Sequence, residues 1–212
     1  MIQRIAIDEN ITTLNQAQEK FNLAPVVDEQ FFTEWFEGLP ELTDQEKASL
    51  DRVKHRYFYH RADGPLAEGT VDLVVLSPLL ELAGFYDFPF KIRSEQTVQI
   101  AVEDREEIYR GRIDYLVLQN QFWVAVIESK RTTFSFSVAI PQTLTYMLAS
   151  PDSNKPTFGM ATNGEAFIFI KLSKQGEQRY ALSDDFSLYR RRNELYDVLR
   201  VMKRIGSAIA ST

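Results

Sequence analysis

Two acidic residues and a lysine lie on two consecutive predicted strands, residues 108–118 and 122–130. Asp114 lies within the first strand, while Glu128 and Lys130 follow six consecutive apolar positions at the end of the second. An unbroken apolar run is typical of a strand that is buried on both faces. Charged side chains there are costly unless they are paired, solvated or bound to a metal. These three residues are therefore the first candidates for chemistry.

The alternation of side chains along strands predicts that the two carboxylates converge. Glu128 and Lys130 share one face of their strand. If the turn is centred on Asn120 or Gln121, Asp114 lies opposite residue 126 or 128, and in both registers it shares that face. Directly opposite β-carbons are about 5 Å apart. A register shifted by one residue would separate the carboxylates.

Carboxylates at this distance repel each other unless a cation lies between them. Mg²⁺ suits the site because it binds one or two carboxylates and keeps waters that substrate phosphates can replace, and we expect Mn²⁺ to substitute. Lys130 could activate the attacking water or stabilise charge on phosphorus. An ordinary salt bridge of Lys130 with Glu128 or Asp114 stays open as the alternative, because the D…ExK pattern is short.

The elements around these residues predict a mixed α/β core. Residues 68–83 predict a helix that Pro78 kinks or restarts, and an Asn163-Gly164 turn predicts a hairpin. The predicted strands cover residues 91–102, 108–118, 122–130, 157–162 and 166–172, with a helix from about Pro141 to Ala149 between the third and the fourth. The order is therefore α-β-β-β-α-β-β.

Three regions follow from this pattern. Residues 1–62 predict a helical preamble, which includes an apolar helical pattern over residues 31–36 and a capping box at Thr43 and Glu46. Residues 63–172 form the predicted core. Residues 173–212 predict a C-terminal extension whose amphipathic helix begins near Asn193.

Composition limits the class of protein. The hydrophobic fraction of 44% argues against disorder, and the sequence has no apolar run long enough to span a membrane, no signal-peptide pattern and no cysteine. We therefore predict a soluble, cytoplasmic protein.

The net charge is -6, but residues 1–90 hold 16 acids and 7 bases, a net of -9, whereas residues 91–212 hold 14 acids and 17 bases, a net of +3. The second part is thus compatible with DNA phosphates.

The segment GRIDYLVLQNQFWVAVIESKR, residues 111–131, resembles the nuclease core of the N-terminal domain of type I restriction enzyme R subunits, within the PD-(D/E)xK superfamily. The resemblance implies a restriction-endonuclease-like αβββαβ core that cleaves DNA phosphodiesters with a divalent metal. It makes Asp114 and Glu128 the metal ligands, and Lys130 the catalytic base or water-orienting group.

The likeness runs from about Glu68 to residue 172. It includes the segment QTLTY, which is similar to the QxxxY motif of those nuclease domains. Its Gln142 and Tyr146, one helical turn apart, would contact the DNA backbone or brace the site. Glu68 matches the further catalytic acid that the superfamily often takes from its first core helix.

The sequence departs from the family in three ways. The predicted helical preamble is not part of the nuclease core. Ile113 stands where the superfamily has proline, and no GxxxxGK[ST] loop is present, so we predict no ATP site and no motor in this chain. The chain reads as a stand-alone relative whose partner is DNA, with a homodimer left open. The alternative function is a weakly active or inactive nuclease-fold module that binds DNA or a protein. An arginine run, residues 190–192, either tracks phosphates or is the solvated start of a helix.

Overall fold

The computed structural model describes residues 3–102, 107–119, 122–129, 132–133 and 136–210, and at Glu128 it describes the backbone alone. Lys130 lies outside the described residues. The strands are β1 (Gln3–Ala6), β2 (Ala24–Pro25), β3 (Phe90–Val102), β4 (Glu107–Gln119), β5 (Phe122–Ser129), β6 (Thr157–Thr162), β7 (Ala166–Ser173), β8 (Arg179–Leu182) and β9 (Phe186–Ser187). The helices are α1 (Ile7–Asn10), α2 (Leu14–Phe21), α3 (Asp44–Arg61), α4 (Glu68–Val71), α5 (Ser77–Leu82), α6 (Phe136–Leu148) and α7 (Leu195–Ala210).

The strands form one mixed sheet in the order β1-β4-β5-β6-β7-β8-β2, with β3 on β4 and β9 on β7. β3, β4 and β5 make an antiparallel meander, α6 crosses over to β6, which is parallel to β5, and β7 returns antiparallel. This is the α-β-β-β-α-β-β order that the sequence predicts between residues 68 and 173. The mixed α/β fold class is therefore confirmed.

Helices cover both faces of the sheet. On one face, α3, the α4–α5 segment and α7 pack in a first cluster, which includes Leu50, Leu79 and Val198. On the other face, α2 and α6 pack in a second cluster, which includes Phe21 and Leu144. The predicted stripe of the last helix is buried in the first cluster, because burying its apolar face is what holds an amphipathic helix on a sheet.

The helix that contains Pro78 is continuous from α4 to α5 through a π-helical turn, Asp72–Leu76. The N–H of Ser77 bonds to the carbonyl of Asp72, five residues back. Proline has no N–H and its ring crowds the carbonyl four residues before it, so a wider turn accommodates it without ending the helix. The turn begins at Asp72, whose position matters below.

The N-terminal region is only partly helical, which corrects the prediction of a helical preamble. β1 pairs with β4 and β2 pairs with β8, both in parallel. The pattern over residues 31–36 does not form an α-helix: a 3-10 turn, Glu29–Phe31, is capped by Asp28, and Phe32 is buried in the first cluster. Tertiary packing of these aromatic side chains replaces the helix that their spacing indicates. The capping box at Thr43 and Glu46 is confirmed at the start of α3.

Candidate active site

The β4–β5 hairpin has two registers. Next to the turn, Leu118 pairs with Trp123, whereas farther along Val117 pairs with Ala125 and Tyr115 with Ile127. The change is a β-bulge that leaves one extra residue, Val124, on β5. Near the turn the register is therefore the shifted one that would separate the carboxylates. Beyond the bulge it is one of the two registers that the sequence analysis allows.

The bulge brings the backbone of Glu128 level with Asp114. Tyr115 pairs with Ile127, so the next residues along the two strands are Asp114 and Glu128. Without the extra residue, every later position of β5 would face the opposite layer. The structure fixes the position of Asp114 relative to the backbone of Glu128. The side chain of Glu128 and all of Lys130 lie outside the described residues.

Asp114 lies where the sheet forks. On one edge of β4, β1 pairs with the residues up to Arg110, and β5 pairs with those from Tyr115 onward. The interval from Gly111 to Asp114 lies between these two partners. Asp114 is half-buried there, so a carboxylate at this fork lies next to the core and still reaches solvent.

The β3–β4 ribbon also changes face at Asp114. In a regular strand, the alternation of side chains would place Ile92, Val98 and Ile100 of β3 on one face. Ile92 packs with the first cluster, however, whereas Val98 and Ile100 pack with the second. Between them Glu95, at the position across from Asp114, has a φ of 54°. A left-handed residue is strained for glutamate and locally rotates the strand. The ribbon therefore passes from one layer to the other at the candidate site.

A third carboxylate, Asp72, lies beside this point. The hydroxyl of Tyr115 donates to Oδ2 of Asp72 at 3.0 Å. Oδ1 of Asp72 is buried and has no hydrogen-bond partner among the described residues. Burial and the nearby charges of Asp72 and Asp114 raise the pKa of Tyr115 above its ordinary value of 10.0. The Tyr115 ring thus lies within the field of both carboxylates.

Glu68, the predicted match for the helical acid, is exposed at the first residue of α4, one turn before Asp72. Asp72 was not predicted from the sequence. Its signal is a single acid inside an otherwise apolar stretch, VDLVVL. Such an acid is costly in a buried helix unless it has a partner or a role.

The start of this helix is tied to the chain beyond β5. The N–H of Leu66 donates to Oγ1 of Thr132 at 3.0 Å, and the N–H of Thr132 donates to the carbonyl of Leu66 at 3.3 Å. Thr132 comes two residues after Lys130, and Leu66 comes two residues before Glu68. This reciprocal pair holds the two segments side by side at one end of the sheet.

Gln142 and Tyr146 lie one turn apart on α6, and both are buried, with exposed fractions of 3% and 2%. Nε2 of Gln142 donates to the carbonyl of Asp8 at 3.1 Å. Tyr146 packs over Gly111, where an added β-carbon would lie 2.4 Å from Cε1 of the ring. Of the two roles that the resemblance implies, bracing the strand that carries Asp114 is the one that this burial favours.

The described residues contain no group of three or more acidic or histidine side chains that could hold a metal ion. That set excludes the side chain of Glu128. No described helix is long and apolar enough to cross a membrane.

Comparisons with known proteins identify the family of this chain. A search of curated proteins finds no match. Among solved structures, the chain is similar to the fragment structure of a putative HsdR subunit of a type I restriction enzyme from Vibrio vulnificus YJ016, with 22% sequence identity and a TM-score of 0.38. The match covers 58% of this chain and 24% of that chain. The family model described as type I restriction enzyme R protein N terminus matches residues 8–178. The chain therefore belongs to the type I restriction enzyme R protein N-terminal family.

Proposed function

We propose that this chain hydrolyses phosphodiester bonds of DNA with Mg²⁺ or Mn²⁺, and that Asp114, Glu128 and Lys130 carry the chemistry. The observation that supports this most directly is the bulged register, which sets Asp114 level with the backbone of Glu128 at the fork of the sheet. If the register next to the turn continued along the hairpin without the bulge, these two positions would face opposite layers.

The donor set is suited to a hard divalent cation. Mg²⁺ and Mn²⁺ prefer carboxylate oxygen and water ligands. Oδ1 of Asp72, buried without a hydrogen-bond partner among the described residues, is an uncompensated carboxylate oxygen close to Tyr115. A buried charge of this kind is costly without a counter-ion. We propose that Asp114 and Glu128 hold the cation and that Asp72 faces it, directly or through a bound water.

The protein side of the reaction follows from these positions. When bound, the divalent cation would supply Lewis-acid stabilisation of the phosphate and a more acidic water. Lys130, which the alternation of side chains along a strand predicts on the same face as Glu128, would orient the attacking water or stabilise charge on phosphorus. Tyr115 fixes one oxygen of Asp72 by donating a hydrogen bond to it.

Two further residues support the site without touching the substrate. Gln142 ties α6 to the N-terminal segment, and Tyr146 packs on Gly111, so together they fix the strand that carries Asp114. The exposed Glu68, one turn from Asp72, is placed to contact a water or the substrate edge. We therefore expect Glu68→Gln to reduce the rate less than Asp72→Asn.

The test is cleavage of labelled DNA by the purified protein in Mg²⁺ or Mn²⁺, compared with EDTA. Asp114→Asn and Lys130→Ala should each lower the rate by at least about 10²-fold, the scale seen when one electrostatic or acid–base group is lost. Asp184→Asn, which removes an exposed acid between β8 and β9, is the matched control and should cleave like the wild type. Activity that survives in the first two variants would refute the assignment.

A further inference from the structure

A patch of basic residues joins the second half of α3 to the turn at residues 188–192. We propose that this patch binds the phosphate backbone of a DNA duplex and guides it to the candidate active site. The basic surface, as we call it, consists of Lys54, Arg61, Arg190, Arg191 and Arg192. The inference rests on the proposed function, because it names the path by which that substrate would reach the site.

Direct contacts hold the two parts of the basic surface together. Nζ of Lys54 donates to the carbonyl of Arg190 at 2.7 Å and to that of Arg192 at 3.3 Å. The rings of Phe58 and Tyr189 meet edge to face, with centroids 5.3 Å apart. α3 is anchored beneath by Tyr57, which is fully buried. The arginines therefore project from a fixed turn, which lowers the entropy lost when they bind a ligand.

The charge of this surface is opposite to that of the whole chain, whose net charge is -6. Two of its five cations have acidic partners: Arg61 pairs with Glu165 at 2.9 Å, and Arg192 pairs with Asp197 at 2.6 Å. Arg190 and Arg191 are exposed, and no acidic side chain within the described residues pairs with either. Such a concentration of positive charge on an acidic protein points to an anionic ligand.

Packing contacts and hydrogen bonds link the basic surface to the candidate site through the β6–β7 turn. Glu165, in that turn, accepts hydrogen bonds from Tyr57 at 2.7 Å and from Arg61 at 2.9 Å. The preceding residue, Gly164, packs against Val71, whose Cγ1 would be only 2.8 Å from an added β-carbon. Val71 is the neighbour of Asp72. A DNA strand that lies on the arginines would pass this turn on its way to the helix that carries Asp72.

The chemistry favours nucleic acid over an acidic protein. Guanidinium groups bind phosphate and carboxylate oxygens alike in two-point hydrogen bonds. Three arginines in succession suit the evenly spaced phosphates of a nucleic-acid backbone better than the irregular carboxylates of an acidic protein. Tyr189, which is 59% exposed beside them, has a hydroxyl that donates to Glu165 at 3.4 Å and could turn to a phosphate or sugar oxygen instead. Binding of this kind is independent of base sequence and depends steeply on salt.

The experiment measures binding of a short fluorescein-labelled DNA duplex in Ca²⁺ across a salt series, and cleavage of the same duplex in Mn²⁺. A plot of the log of the DNA association constant against the log of the salt concentration falls with a slope that counts phosphate contacts. Each contact that is lost makes this slope less steep by about 0.9. Arg190→Ala/Arg191→Ala should therefore reduce the slope by about 2. The single variant Arg191→Ala should reduce the slope by about 1. The control is Arg4→Ala, which removes an exposed arginine on β1, the first strand of the sheet order, and should leave the slope unchanged.

The outcomes separate the two proposals. A smaller slope in the Arg190 and Arg191 variants but not in Arg4→Ala supports the basic surface, whether or not cleavage is seen. If the wild type binds DNA and the double variant keeps the wild-type slope, the basic surface is refuted while the nuclease proposal stands. If the wild type binds DNA but does not cleave it in Mn²⁺, the nuclease proposal fails. If it binds no DNA at all, both fail, and an acidic protein becomes the ligand to test. Circular dichroism of each variant confirms that the fold is intact.

Discussion

Gly111 lies on the strand that carries Asp114, and its substitution tests how tightly that strand is packed. A β-carbon at this position would lie 2.4 Å from Cε1 of Tyr146, 3.0 Å from its hydroxyl oxygen and 3.1 Å from Cδ1 of Ile7. Ordinary carbon contacts begin near 3.5 Å. Tyr146 is only 2% exposed and Ile7 is fully buried, so neither side chain can move into solvent. Gly111→Ala must therefore shift β4 or the ring.

Overpacking of this size costs about 1–3 kcal/mol in the free energy of unfolding. For a chain of this length that corresponds to a decrease in Tm of about 2–4 °C for each kcal/mol. Urea unfolding of Gly111→Ala measures the cost. Gly69→Ala is the matched control, because its added β-carbon would have no atom within 4 Å among the described residues beyond its own turn of helix. Alanine there should be neutral or stabilise by up to about 1 kcal/mol.

A double-mutant cycle tests whether Tyr146 is the cause. Tyr146→Leu removes both ring atoms nearest to Gly111, so Gly111→Ala should cost less in that background. The expected coupling energy is about 0.5–3 kcal/mol. Additive costs, or a Gly111→Ala variant as stable as the wild type, would refute the view that Tyr146 braces the strand of Asp114.

Two further predictions concern stability. Burial alone would raise the pKa of Glu46, but hydrogen bonds from Lys203 and Thr43 lower it below the ordinary value of 4.5. The stability that Glu46 contributes is therefore full above about pH 4.5 and is lost as the pH falls through the lower pKa of the folded state. Glu46→Gln should cost about 1 kcal/mol at neutral pH and flatten the acid limb of a plot of Tm against pH; an unchanged limb would contradict this. Tyr57→Phe should cost about 1 kcal/mol in urea unfolding, because it removes the donor that lies 2.7 Å from the half-buried Glu165. A loss near zero would show that Arg61 and Tyr189 satisfy that carboxylate without Tyr57.

The core fold was predictable from the sequence because its signals are local. An unbroken apolar run indicated β5, and the Asn163-Gly164 pair indicated the β6–β7 hairpin. The alternation of side chains along the β4–β5 hairpin indicated that Asp114 and Glu128 could share one face. β1 and β2 were not predictable, because they are short strands whose partners lie about a hundred or more residues away in the sequence.

The details of the site depend on features that no local pattern shows. The extra residue at Val124 decides the register, and a bulge within an entirely apolar strand leaves no mark in the hydrophobic pattern. Asp72 becomes a candidate only because the fold sets it against Tyr115. The burial of Gln142 follows from the N-terminal segment, which the sequence analysis treated as a separate preamble.

We propose that Asp114 belongs to a divalent-metal site that cleaves DNA. Calorimetric titration of Mn²⁺ into the wild type and into Asp114→Asn, with Asp184→Asn as control, tests this proposal. We expect Mn²⁺ binding by the wild type and the control, loss of that binding in Asp114→Asn, and DNA cleavage that follows the same order. Equal Mn²⁺ affinity in all three proteins, or none in the wild type, would contradict it.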